Sequence, residues 1–167
     1  MRKIGQIFRF LIPVIALAAL VVFLVGAGRQ KKAKAVYEAK VEQVLEAWNT
    51  GNVDLLDEIY APGFVRHSPG AAFGDEDLEA IKKRALSLQK DFPGFQLTAD
   101  ETIVEGMDRG MTRWTWRWTN KDTGKEVIMM GCTISHGVDG KTVTEWEFGD
   151  WLGLFLQLGF KLVPPEE

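Results

Sequence analysis

Hydrophobic residues recur with helical spacing in the segment that follows residue 33. They occupy positions i, i+4, i+7, i+8 and i+11 of one helix face: Tyr37, Val41, Val44, Leu45 and Trp48. Such spacing is typical of an amphipathic helix that packs on a core. The pattern predicts a helix that begins near Ala33 and ends at Thr50-Gly51-Asn52, because glycine and asparagine favour helix ends.

Two shorter helices are predicted next. The first carries apolar residues over positions 55–59 and ends at Pro62-Gly63. The second is predicted to be capped by Asp75 and to end at Phe92-Pro93-Gly94. Its buried face would contain four apolar residues: Leu78, Ile81, Ala85 and Leu88.

After Gly94 the apolar positions alternate, which predicts strands. One strand carries a tryptophan at every second position from Trp114 to Trp118, and another runs from Val127 to His136. Asp139-Gly140 is a preferred two-residue hairpin turn, and the last strand covers Thr142 to Asp150. Helices followed by an antiparallel meander predict an α+β domain.

The N-terminal part of the chain has the length and composition of a membrane span. Phe10 to Gly28 is an uninterrupted run of 19 uncharged residues between Arg9 and Arg29. At about 1.5 Å per residue, a helix of this length crosses roughly the hydrocarbon core of a bilayer. A cleaved signal peptide is the alternative, since Ala33-Lys34-Ala35 resembles a cleavage site. The length of the run and the basic residues after it favour an uncleaved anchor.

The chain is therefore predicted to have five parts. These are a basic flank (1–9), a transmembrane helix (10–28), a basic linker (29–35), a folded domain (36–160) and a tail (161–167). Both sides of the predicted span are basic, so the positive-inside rule does not choose the side on which the domain lies. We expect a single-pass membrane protein with the side of the domain undetermined.

Charge and cysteine content exclude several classes of function. Seven basic residues and no acidic residue precede Glu38, which leaves 13 basic residues against 23 acidic ones in the rest of the chain. A domain with a formal charge of −10 would repel a phosphate backbone, so we expect no nucleic-acid partner. Cys132 is the single cysteine, so there is no intramolecular disulfide, and no cysteine–histidine spacing indicates a metal site.

A candidate site lies where the last strand meets the last predicted helix, in WEFGDWLGLFLQLG (146–159). Trp146, Phe148 and Asp150 alternate and therefore share one face of the strand. A carboxylate beside aromatic side chains is suited to proton transfer. Aspartate is also a favoured helix N-cap, and the spacing alone favours this second interpretation of Asp150. Glu145 and Glu147 alternate with Trp146 and are predicted to face solvent.

Four segments, in this order, resemble the SnoaL-like polyketide cyclases, also called ester cyclases, of the nuclear-transport-factor-2-like superfamily: AWNTGNVDLLDEIYAPGFVRH, KDFPGF, MDRGMTRWTWRWT and DGKTVTEWEFGDWLGLFLQLG. The resemblance extends over about 36–159. It implies a cone in which a curved antiparallel sheet wraps around helices and encloses an apolar pocket.

The resemblance also implies catalytic residues. The family's acid/base carboxylate precedes the final helix, which corresponds to Asp150. It transfers a proton from the carbon α to a carbonyl, and no metal or organic cofactor is needed. His67 matches a position that often faces the pocket, where imidazole would form a hydrogen bond with the substrate oxygen or adjust the pKa of Asp150. The alternative is a loop histidine with local hydrogen bonds. Arg66 departs from the family, which commonly has an acidic residue there.

Aromatic residues are the candidates for binding the substrate. The predicted set is Trp48, Trp116, Trp146 and Phe148. For the tryptophan stripe from Trp114 to Trp118, a role in the hydrophobic core is favoured over a role in a ligand pocket, because aromatic residues are enriched in strands.

Three functions remain open after the sequence has been considered. The first is a membrane-anchored enzyme of the cyclase or isomerase type that acts on a small lipophilic carbonyl compound. The second is a non-catalytic module that binds a small apolar molecule. The third is a protein-interaction module of a membrane assembly. A homodimer is also expected, because the exposed sheet face of this fold often forms dimers in relatives.

Overall fold

The computed structural model describes residues 2–69 and 74–163, with side chains from Leu17 onward. The elements in chain order are α1 (Arg2–Thr50), α2 (Leu55–Ile59), β1 (Tyr60–His67), α3 (Leu78–Asp91), β2 (Gln96–Glu105), β3 (Arg109–Thr119), β4 (Glu126–Val138), β5 (Lys141–Gly149) and α4 (Trp151–Gln157). The predicted α+β class is confirmed.

The sheet has five strands in the order β1-β5-β4-β3-β2. Strands β2 to β5 are antiparallel neighbours, whereas β1 pairs in parallel with β5. The sheet is therefore mixed, and the expectation of a purely antiparallel sheet was wrong. The reason is the long connection between β1 and β5, which contains α3 and three strands and returns the chain in the same direction.

Helix α1 is longer than predicted at its N-terminal end. It passes without a break through 29–35, which was expected to be a linker. This stretch packs on the domain: Gln30 Nε2 donates a hydrogen bond to Val104 O (2.6 Å), and Ala33 is buried. The predicted apolar face of the helix is confirmed, because Tyr37, Val41 and Trp48 all point toward the sheet and line a cavity.

The predicted membrane span lies partly outside the described side chains, since it begins at Phe10. Within the described part of the chain, no helical stretch is both long enough and apolar enough to cross a bilayer.

The hydrophobic core lies between the concave face of the sheet and the helices α1, α2 and α3. Trp114, Trp116 and Trp118 are all buried, as predicted for the tryptophan stripe. The rings of Trp114 and Trp116 stack with centroids 5.1 Å apart, and Trp48 of α1 lies 5.7 Å from Trp116. Ile81 attaches α3 to the same core and is fully buried.

Local turn chemistry was predicted with mixed success. Asp139 and Gly140 both have positive φ (49° and 80°), as the predicted tight hairpin requires. Helix α3 is capped by Asp77, whose Oδ1 accepts from Ala80 N at 2.8 Å, and not by Asp75. Asp75 bonds elsewhere, with its Oδ2 2.9 Å from Nδ1 of His67.

Candidate functional site

Helix α1 and the concave face of the sheet enclose a cavity of about 80 Å³. One side of it is a face of α1, whose contributing residues include Tyr37, Lys40, Val41, Val44 and Trp48. All five strands contribute to the sheet side, whose residues include Trp114, Trp116, Ser135, Glu145 and Glu147. A largely apolar wall with a few converging polar groups is the usual composition of a ligand pocket.

Two glutamates of β5 point into the molecule. Glu145 and Glu147 are 5% and 3% exposed, so the prediction that they face solvent was wrong. Their burial is explained by Arg66 of β1, which stands opposite Glu145 in the parallel register. Arg66 Nε and Nη2 donate to Glu145 Oε2 (2.9 and 2.7 Å), and Nη1 donates to Glu147 Oε2 (3.3 Å). Buried charges require such pairing.

A second arginine completes the buried cluster. Arg84 of α3 pairs with Glu147 Oε1 at 3.2 Å and with Glu76 Oε2 at 3.0 Å. The guanidiniums of Arg66 and Arg84 also lie over the Trp48 ring, 5.8 and 5.3 Å from its centroid. Burial raises the pKa of Glu76, against the opposing charge of Arg84. Three carboxyl groups thus share two guanidiniums, and Glu76 retains a proton to higher pH than an ordinary glutamate.

Hydroxyl groups connect Glu145 to the cavity. Ser135 Oγ donates to Glu145 Oε1 at 3.0 Å, and the Tyr60 hydroxyl lies 3.3 Å from both carboxylate oxygens. Burial raises the pKa of Tyr60, so this phenol stays a donor. Trp48 Nε1 is buried and has no hydrogen-bond partner among the described residues. An unpaired buried N–H is costly, which favours a water molecule or a ligand oxygen beside it.

Asp150 lies at the start of α4, outside this cavity. Its Oδ1 accepts from Gly153 N at 2.8 Å, and the residue is exposed. The interpretation of Asp150 as an N-cap is confirmed. Its acid/base role stays a prediction from the family resemblance.

Trp146, Phe148 and His67 lie on the outer face of the sheet. Trp146 and Phe148 are 38% and 44% exposed, and the His67 ring lies 5.5 Å from that of Trp146. Trp146 and Phe148 share one face of β5 as predicted, whereas Asp150 follows the end of the strand at Gly149. Neither aromatic residue lines the cavity. Alternation shows which residues share a face without showing which face is inside. Here the Arg66 pairing places the glutamates inside.

Of the predicted substrate-binding residues, Trp48 and Trp116 do line the cavity. Sequence reasoning missed Arg66, Glu145 and Ser135 as its polar groups. The sequence did contain a signal for this polar cluster: Arg66 stands where the family commonly has an acidic residue, and Glu145 and Glu147 are two positions apart. Only the strand register brings them together. Among the described residues, no group of three or more His, Cys, Asp or Glu side chains is arranged to hold a metal ion.

The mixed sheet wrapped on α1, with a cavity between them, defines a member of the nuclear-transport-factor-2-like fold. The sequence profile of the SnoaL-like polyketide cyclases matches residues 39–158. The chain therefore belongs to the SnoaL-like polyketide cyclase family.

Solved structures with this fold include proposed polyketide cyclases. One, from Acidithiobacillus ferrooxidans, is 26% identical over 77% of this chain and 94% of its own, with a TM-score of 0.61. IdmH from Streptomyces antibioticus, another, is 27% identical over 74% and 98%, with a TM-score of 0.64. TsrD from Streptomyces laurentii is 25% identical over 75% and 96%, with a TM-score of 0.64. The search of curated proteins gave no match.

Proposed function

We propose that this protein catalyses cofactor-independent acid/base chemistry, of the cyclase or isomerase type, on a small lipophilic carbonyl compound. The observation that carries the proposal is the cavity itself, in which aromatic walls surround the buried, hydrogen-bonded carboxylate of Glu145. Membership of the SnoaL-like family supports the same reaction class.

The size of the cavity limits the substrate. Pockets that hold drug-sized ligands measure about 300–1,000 Å³, whereas this cavity measures about 80 Å³. A single-ring or short-chain compound suits this volume, and a multi-ring compound would require the walls to move apart. Apolar contacts with Trp48 and Trp116 would supply most of the affinity.

The proposed reaction is a proton transfer. A carboxylate removes a proton from the carbon next to the carbonyl. The electron pair of that C–H bond forms the C=C bond of the enolate as the carbonyl π pair moves to oxygen. The enolate carbon then attacks a second carbonyl carbon of the same molecule, whose π pair moves to oxygen and takes the proton from the carboxylic acid, or the enolate carbon takes that proton back itself. Glu145 is the carboxylate in the cavity, and Asp150, with His67 assisting, is the one that the family resemblance indicates. Positioning and acid/base catalysis account for the rate increase.

The proposal includes a membrane location. Support comes from the exposed apolar surface of α1, on which Val22 and Phe23 are each 71% exposed. Basic residues follow at Arg29, Lys31 and Lys32, and their side chains would contact anionic lipid headgroups. A membrane would cover the apolar surface and bring lipophilic substrates close to the domain.

The experiment follows exchange of α-protons for deuterium in cyclohexanone by NMR, using the full chain in nanodiscs. Exchange measures enolate formation directly and does not require the natural substrate. We expect the wild-type protein to accelerate exchange above the buffer rate. Binding of cyclohexanone without any acceleration would contradict the catalytic proposal.

Two charge-removing variants identify the base. Glu145→Gln should abolish the acceleration, whereas Asp150→Asn, which keeps a capping side chain, should retain it. The reverse result would assign the base to Asp150. Removing one member of a buried ion pair costs about 3–5 kcal/mol, so near-ultraviolet circular dichroism must first show that Glu145→Gln is folded. Ser135→Ala is the milder substitute, because it removes one hydrogen bond to the same carboxylate.

A non-catalytic ligand-binding module is the second candidate function. The observation in its favour is that Arg66 holds both Glu145 and Glu147, as in a purely structural ion-pair cluster. This function predicts that cyclohexanone or another apolar compound binds and that the exchange rate stays at the buffer value.

The homodimer remains part of the proposal. The outer face of the sheet exposes Met130 (55%), Ile134 (43%), Trp146 and Phe148, a larger apolar surface than single scattered residues would form. A second copy of the chain is the partner expected from relatives. Analytical ultracentrifugation of wild type against Phe148→Glu would test it.

A further inference from the structure

We propose that Tyr37 donates the hydrogen bond that holds the carbonyl oxygen of the bound compound and stabilises the enolate that forms from it. This inference rests on the proposed function, since it assigns a second catalytic residue to the same cavity. It adds the group that faces the developing negative charge, whereas the carboxylate of Glu145 or Asp150 removes and returns the proton.

Tyr37 is placed at the cavity by α1. It lies on the same helix face as Lys40, Val41 and Val44, three, four and seven residues later, and all four line the cavity. The residue is half-buried, so its ring belongs to the apolar wall. A phenol in this position brings an O–H group to a cavity whose wall is largely apolar and whose polar groups include Ser135 and Glu145.

The sheet leaves a space that is matched to this ring. Gly110 of β3 lies directly against Tyr37, and a Cβ at this position would collide with the ring atoms Cε1, Cε2 and Cζ. The φ of Gly110 is not in the left-handed region, so the backbone does not require glycine there. The requirement comes from the close approach of the ring, which makes Gly110 a positioning residue for Tyr37.

The surroundings keep Tyr37 protonated. Burial raises the pKa of its hydroxyl, a hydrogen bond with Ser135 opposes this, and the negative charge of Glu145 raises the pKa further. A phenol that does not ionise near neutral pH remains a hydrogen-bond donor. A neutral donor is what a carbonyl oxygen, and then an enolate oxygen, requires.

Several other polar groups of the cavity are committed to different partners, whereas Trp48 Nε1 and Thr112 Oγ1 have no hydrogen-bond partner among the described residues. Ser135 donates to Glu145, and its own oxygen is left to accept from a neighbour such as Tyr37. Tyr60 lies against the same carboxylate, and Arg66 donates to two glutamates. The Tyr37 hydroxyl, which interacts with Ser135 and Thr112, is placed to donate to a ligand oxygen while Glu145 remains close by.

Proton removal and the hydrogen bond to the carbonyl oxygen belong to a single step. The α-C–H bond breaks, its proton passes to a carboxylate oxygen, and its electron pair forms the C=C bond as the carbonyl π pair moves to oxygen. The Tyr37 O–H bond does not break; it donates to that oxygen throughout. Loss of one such donor lowers kcat by about 10²–10³ in other enzymes.

The test uses cyclohexanone labelled with ¹³C at the carbonyl, bound to the full chain in nanodiscs. A hydrogen bond moves the carbonyl ¹³C resonance downfield, and this readout needs no catalysis. We expect a downfield shift on binding to wild type that Tyr37→Phe abolishes, with affinity reduced less than tenfold. Val44→Ala is the matched control, since it alters the apolar wall on the same helix and should keep the shift.

Two further variants make the assignment specific. Gly110→Ala keeps the hydroxyl but displaces the ring, so it should lose the shift as Tyr37→Phe does. Lys40→Met removes another α1 donor that lines the cavity and should retain the shift. The inference is overturned if Tyr37→Phe keeps the shift, if only Lys40→Met loses it, or if wild type does not bind cyclohexanone.

The same samples separate this inference from the proposed function. A shift that depends on Tyr37, without accelerated α-proton exchange in wild type, would establish the hydrogen bond and contradict catalysis. With both present, Tyr37→Phe should slow the exchange about 10²-fold or more.

Discussion

At the scale of single residues, Arg66 and His67 are adjacent in β1 but their side chains lie on opposite faces of the sheet. Arg66 is buried and pairs with two glutamates, whereas His67 lies on the outer face beside Trp146. The buried charges are arranged around Trp48, whose π face receives both guanidiniums. Cation–π contacts of this kind compensate part of the desolvation of an arginine.

Glu76 is expected to make stability depend on pH. Its pKa is raised above the ordinary 4.5 by burial, against the opposing charges of Arg84 and Arg66. The folded state therefore binds this proton more tightly than the unfolded state, and the stabilisation present below pH 4.5 is lost as the pH rises through the raised pKa. Between pH 4.5 and 7.5, wild type should lose stability relative to Glu76→Gln.

Urea unfolding followed by tryptophan fluorescence measures this difference. Glu79→Gln removes a carboxyl from the exposed side of α3 and serves as the control. The assignment would be contradicted if the difference in unfolding free energy between wild type and Glu76→Gln did not change with pH. It would also be contradicted if wild type became the relatively more stable protein at high pH.

At the scale of elements, the start of α4 is defined by two side-chain properties. Asp150 accepts from Gly153 N, and a Cβ on Gly153 would collide with the Asp150 carboxylate. The cap thus needs a short acceptor at one position and no side chain three residues later. Asp150 and Gly153 together mark the change from β5 to α4.

The cap of α4 should contribute measurable stability. Asp150→Ala is expected to lower the free energy of unfolding by about 1 kcal/mol, while Asp150→Asn should leave it nearly unchanged, because asparagine caps as well as aspartate. Chemical denaturation of the three proteins measures both values. Equal destabilisation by both variants would mean that the charge of Asp150 matters more than its hydrogen bond.

At the scale of the whole molecule, α1 connects the apolar N-terminal segment to the cavity without a hinge. Gly28, the last residue of the predicted span, precedes Tyr37 by nine residues, which is about 13–14 Å along a helix. Gln30 and Ala33 already pack on the domain. If 10–28 lies in a bilayer, the cavity is held at a short and constant distance from its surface.

Membrane attachment should depend on the apolar surface of α1. Val21→Arg combined with Leu24→Arg introduces two charges into the predicted span, each costing about 2.5–3.5 kcal/mol near the bilayer centre. Wild type should float with lipid vesicles and resist carbonate extraction, and the double variant should not. Leu86→Arg, at a residue of α3 that is 47% exposed, is the control and should float. Flotation of the double variant would contradict the anchor.

The sequence by itself determined the class of fold and several of its local features. The apolar face of α1, the buried tryptophan stripe, the Asp139-Gly140 turn and the cap at Asp150 follow from periodicity and local hydrogen bonding, which act over a few residues. The resemblance to the SnoaL-like family followed from motif order, because the motifs are continuous in sequence.

Only the tertiary structure decided which face of β5 lies inside. Period-two alternation is symmetric between the two faces, so Glu145 and Trp146 were equally able to point inward. The parallel register with β1, set by a connection of more than 70 residues, places Arg66 against Glu145 and makes the charged face the buried one. The ion pair between Arg66 and Glu145 joins residues that are far apart in the sequence, so local periodicity does not reveal it. This ion pair determined the polar side of the cavity.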